Sequence, residues 1–68
     1  MNMKIEYDKE ADAAYIYIDT EIKEGQIKNT TQISDDIILD FDSSDILLGI
    51  EVLNASKHLS KKVLLQEA

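Results

Sequence analysis

Sixty-eight residues without a cysteine make one small domain, 1–68, and exclude disulfides and thiolate metal sites. Fourteen acids against seven lysines give a net charge of −7, which disfavours nucleic acid and anionic membrane and makes a charge-steered partner a basic one. Apolar residues at 44% suit a folded globule, yet no apolar run approaches the roughly 20 residues of a membrane span; with no leader-like segment, the expected location is the cytoplasm.

Residues 3–7, "MKIEY", alternate apolar and polar side chains, the period of a half-buried strand. Residues 13–19, "AAYIYID", are aromatic and β-branched and read as a second strand. Pairing Tyr7 with Ala14, Ile5 with Ile16 and Met3 with Ile18 puts all six on one face. Lys4, Glu6, Tyr15 and Tyr17 fall on the other, and the connecting loop is 9–12. Residues 21–25 are a charged bend ending in Gly25, a site for positive φ. Residues 26–34, "QIKNTTQIS", form a weaker, polar strand expected between the two hairpins.

The strongest strands are 37–41 and 46–53. Pairing Phe41 with Ile46, Leu39 with Leu48 and Ile37 with Ile50 again collects apolar residues on one face, joined by Val52. Asp40, Gly49 and Glu51 then lie on the other face, with Ile38 and Leu47. The loop becomes 42–45, with Asp45 expected near the left-handed region. Asn54 or Ser56 is suited to cap a helix starting at Ser56. Leu59, Val63 and Leu64 would face the sheet and Lys57, Lys61 and Lys62 solvent, and the last residues are expected to fray.

The stretch "DFDSSDILLGIE", 40–51, places Asp40, Asp42, Ser44 and Glu51 at the oxygen positions of a twelve-residue calcium loop. Position six of such a loop needs glycine and is Asp45 here, and the flanks have strand rather than helix periodicity. The hairpin reading is preferred. Asp35, Asp36 and Asp40 read as turn carboxylates, with weak divalent-ion binding as the alternative. Asp40 and Glu51 share a face but lack an evident pocket. His58, the sole histidine, reads as a solvated helix residue, and no serine has a base beside it. No catalytic, cofactor-binding or metal residue is assigned.

The opening "MKIEYDKEADAAYIYI" resembles a pattern M-K-I-x-Y-D-x-x-A-D-x-x-Y-I. The segment "DDIILDFDSSDILLGIEVLNASKHL" resembles D-x-x-I-L-D-x-D-x-x-G-x-I-x-G-I-E-I-L-x-A-S. Together they are similar to the YuzE-like family, domain of unknown function 2283, over nearly the whole chain. The resemblance brings no activity with it. It implies glycine in place of Asp45 in many relatives, in keeping with a left-handed loop residue. Some relatives are encoded beside small toxin-like proteins, which implies a neutralising partner.

The expected architecture is α+β: an antiparallel meander of four to five strands with one C-terminal helix packed on one face. The expected function is protein–protein interaction, as a homodimer or with an unidentified and basic partner. The proposed interface is the outer sheet face, with Tyr15, Tyr17, Ile38 and Leu47. The alternative is an antitoxin-like neutraliser of a basic protein, and an enzyme or weak metal binder comes third.

Overall fold

The computed structural model describes residues 3–19 and 21–65. It is an α+β fold in which five antiparallel strands form one sheet: β1 (Lys4–Asp8), β2 (Ala13–Tyr17), β3 (Asn29–Gln32), β4 (Ile37–Phe41) and β5 (Leu47–Leu53). The order across the sheet is β1-β2-β5-β4-β3. Two local units, the β1–β2 hairpin and the β3–β4–β5 meander, therefore meet along β2 and β5. The polar strand β3 is not between the hairpins but at the outer edge beside β4, where its four residues are all exposed. An edge demands only one pairing partner and tolerates a strand with no apolar face.

The first hairpin has the register its periodicity predicts, with Tyr7 opposite Ala14 and Ile5 opposite Ile16. Its ladder ends at Lys4 and Tyr17, so the expected Met3–Ile18 pair lies beyond it. The second hairpin is shifted by two residues from expectation: Ile37 faces Val52 and Leu39 faces Ile50. A shift of two keeps every side chain on its face, so alternation alone cannot detect it. An irregularity at Asp40/Phe41 then brings Phe41 opposite Leu47, and Ile46 leaves the ladder, 57% exposed.

The pairings align side chains in rows. Tyr7, Ala14, Val52 and Ile37 form one inner row, and Ile5, Ile16, Ile50, Leu39 and Thr31 the next. The chain after β5 covers the first of these. It forms two short helices, α1 (Ala55–His58) and α2 (Lys61–Leu64), rather than the single helix expected. Leu59 breaks the run in an extended conformation (φ −116°, ψ 142°), and the Ser60 side chain accepts from the Val63 N–H to start α2. Ala55 and Leu64 are buried against Ala14 and Val52, with Leu59 packed beside them. The second inner row stays half-buried up to Leu39 and ends on exposed Thr31. The expected fraying falls at 66–68, outside the described residues.

Candidate functional site

Two outer rows make the other face. One runs Lys4, Tyr17, Gly49, Asp40, Thr30 across all five strands, and the next runs Glu6, Tyr15, Glu51, Ile38, Gln32. Their side chains form a connected polar lattice. The Tyr15 hydroxyl donates to Asp40 Oδ2 at 2.7 Å and Thr30 Oγ1 donates to Asp40 Oδ1 at 2.9 Å. The Tyr17 hydroxyl donates to Glu6 at 2.6 Å, and Lys4 Nζ lies 4.6 Å above the Tyr17 ring. The two tyrosine rings meet edge to face, 4.8 Å between centroids.

Asp40 is the one buried charged side chain among the described residues, at 8% exposure. Both its oxygens are satisfied, yet by neutral donors; no lysine or histidine among the described residues lies within ion-pair distance. Burial, reinforced by the hydrogen bond to Asp40, pushes the Tyr15 hydroxyl far above its ordinary pKa of 10.0, so it stays a donor.

The chain leaving β2 must reach the far edge of the sheet to begin β3. Its residues Ile22 and Lys23 to Gly25 border a hollow of about 390 Å³ floored by Tyr15, Tyr17 and Asp40. The outer face is therefore not left wholly to solvent, as a lone C-terminal helix on the inner face would imply. Of the four expected interface residues, Tyr15 and Tyr17 are together. Ile38 is half-buried two strands away, across Glu51, and Leu47 sits half-buried at the ladder irregularity. Asp40 and Glu51 share the face but border different hollows.

The stretch resembling a calcium loop is a hairpin bend. Asp42 Oδ1 accepts from the N–H groups of Ser44 (2.8 Å) and Ile46 (3.0 Å), and Asp45 N–H reaches the Asp42 carbonyl. Asp45 is in the left-handed region, φ 62°. Asp40, buried under Tyr15, does not join Asp42. Among the described residues no three acidic or histidine side chains converge on a point.

Two further carboxylates hold α1, and the sequence reading missed both contacts. Asp12, with φ 52°, accepts from the Tyr7 hydroxyl (2.7 Å), the Ser56 N–H (3.0 Å) and Ser56 Oγ (2.7 Å). It does the capping expected of Asn54 or Ser56 from 44 residues away. Hydrogen bonds from Ser56 and Tyr7 hold its carboxyl below the ordinary value. Asp36 accepts from Asn54 Nδ2 at 3.0 Å and lies 2.8 Å from His58 Nε2, and its pKa is lowered chiefly by His58. His58 is thus engaged with β4's leading turn rather than free on a helix surface.

These contacts account for much of the quoted pattern: Tyr7, Asp12, Tyr15, Asp40, Gly49 and Ser56 each fix one element against another. A protein of Methanocaldococcus jannaschii, the uncharacterized protein MJ0789, is 46% identical over 57 residues, 84% of this chain. The chain spans 45% of that relative's length. No solved structure matches. The profile described as protein of unknown function (DUF2283) matches residues 4–56, the whole sheet and the start of α1, and it is to this family that the chain belongs.

Proposed function

We propose that the protein is a protein–protein interaction module whose outer sheet face takes a lysine or arginine side chain of a basic partner. The observation that carries this reading is Asp40, a buried carboxylate without a counter-charge among the described residues, which lines a hollow together with Tyr15 and Tyr17. A buried charge is costly unless it is paired, and neutral hydrogen bonds offset only part of the cost. An arriving cation would meet a carboxylate and two aromatic rings, the set that recognises ammonium and guanidinium groups. Ile38, in the same outer row as Tyr15, would extend the contact along the face; Leu47, brought opposite Phe41 by the ladder irregularity, would not. Lys23 stands at the border of the hollow and makes no ion pair among the described residues.

Nuclear magnetic resonance titration with blocked lysine and arginine peptides tests the reading. Expected are shift changes centred on Tyr15, Tyr17 and Gly49, weakening with salt, and lost in Asp40→Asn and in Tyr17→Ala. Lys23→Ala should bind more tightly, since a competing charge is gone. Shifts spread evenly over the acidic residues, or binding untouched by either loss-of-site variant, overturn it.

A narrower second reading is an antitoxin-like neutraliser of a basic protein, favoured by the net charge of −7. It requires that a basic protein be retained from lysate in stoichiometric amount by the wild type, released by salt, and not retained by Asp40→Asn.

A further inference from the structure

The sheet has two open edges, and they differ in chemistry. β1 carries Lys4, Glu6 and Asp8, three charges in five residues. Charged side chains along an edge discourage pairing with another sheet. β3 is Asn29-Thr30-Thr31-Gln32, with no charge, proline or bulge, in a chain of which 31% is charged. Ile33, next in sequence, is 59% exposed.

The register fixes what this edge offers. The Ile33 N–H bonds to the Ile37 carbonyl on β4, so Ile33 points its backbone inward. Antiparallel ladders alternate, which turns the N–H and C=O of Thr30 and Gln32 outward. From this geometry we infer that β3 pairs with the β3 of a second copy of the chain, antiparallel, about a two-fold axis at Thr31. In that register each Thr30 exchanges hydrogen bonds with the other copy's Gln32. The two Thr31 residues face each other as a close, non-hydrogen-bonded pair.

A second copy suits this edge better than an arbitrary strand for two reasons. Thr30 and Gln32 lie symmetrically about Thr31, so a two-fold satisfies both outward residues of each chain. Thr31 also ends the half-buried inner row Ile5, Ile16, Ile50, Leu39, which the axis would continue into its own image. Two chains of charge −7 repel, and an uncharged edge is where they approach at least cost. A four-residue contact is small, so the dimer is weak, forming at roughly 0.1–1 mM and strengthening with salt.

The chain has no cysteine, which makes a clean test. Thr31→Cys should cross-link to a disulfide dimer under mild oxidation at least about tenfold faster than Lys4→Cys on the other edge, because pairing raises the effective thiol concentration. Gln32→Pro, placed where the N–H faces outward, should stay folded but sediment as a monomer where the wild type dimerises. A folded wild type that stays monomeric at roughly 1 mM in high salt overturns the inference. So does equal cross-linking at positions 31 and 4, or a dimer that Gln32→Pro and Thr31→Glu leave intact while still folded.

Discussion

The ring of Tyr15 occupies the space that a side chain at Gly49 would need: a Cβ there would lie 2.6 Å from Tyr15 Cε2. Gly49 is thus required for close approach rather than for an unusual backbone angle. It lets Tyr15, paired with Glu51 on β5, reach across that strand to Asp40 on β4. Gly49→Ala should cost about 1–3 kcal/mol by forcing the ring aside. Tyr15→Phe keeps the ring and removes a donor from buried Asp40, at about 1–3 kcal/mol. The double variant should cost less than the sum, because both changes break one arrangement. Urea unfolding of the four proteins decides this, and strict additivity would mean the two residues act separately.

Asp45 tolerates its left-handed backbone less well than glycine would. Asp45→Gly is expected to be neutral or stabilising by up to about 1 kcal/mol. Millimolar calcium should leave the melting temperature of the wild type unchanged, since Asp40 and Asp42 are held apart by the hairpin. A calcium-dependent rise that disappears in Asp42→Ala would contradict this.

Asp12→Gly removes the carboxylate of Asp12 without adding backbone strain, because φ is already positive there. The melting temperature should fall, and the Ser56 amide should lose hydrogen-exchange protection before the amides of β4 and β5 do. Unchanged protection at Ser56 would show that α1 is held by packing alone.

Stability should form a plateau in pH with two falling sides. Asp12 and Asp36 have folded pKa values lowered from 3.8, chiefly by Ser56 and His58 respectively. Their contribution is complete above the unfolded value and is lost as pH falls through the lower folded ones. Tyr7, Tyr15 and Tyr17 have values raised above 10.0, by Asp12, by burial with Asp40, and by Glu6. Their contribution is complete below 10.0 and lost as pH rises through the folded values. Urea midpoints across pH should therefore drop below about 4 and above about 10. In ultraviolet titration Tyr15 should ionise last, together with unfolding; three tyrosines titrating alike with the fold intact would refute the assignment.

How far the sequence reached depended on what kind of signal each feature leaves. Alternation assigned faces correctly for Ile5, Tyr7, Tyr15, Tyr17 and Asp40, because a strand's two faces differ in chemistry. It could not fix the β4–β5 register, since a slip of two residues preserves those faces. It could not place β3, whose polar residues select neither neighbour. Least legible were the long-range side-chain bonds: Asp12 to Ser56, Asp36 to His58, Asp40 to Tyr15. Such contacts join distant positions without any periodic trace. The helix pattern after Ser56 was visible, but the break at Leu59 follows from its turn toward the core and from capping by Ser60.

The ladder between β2 and β5 has a kinetic consequence. It sets Ala13 opposite Leu53, a separation of 53 − 13 = 40 residues, whereas the turns within each hairpin close over a handful. Ordering a large loop before its contacts form is slow relative to closing a turn. Both hairpins can therefore form and dissolve repeatedly before the seam between them closes, and seam closure is expected to govern the refolding rate. Ile16→Val or Ile50→Val, which face each other across the seam, should slow refolding, while a destabilising change at the 42–46 bend need not act the same way. Until the seam closes, β2 and β5 each present an unpaired edge rich in apolar side chains. That interval, rather than the native sheet, is when the chain is most exposed to aggregation.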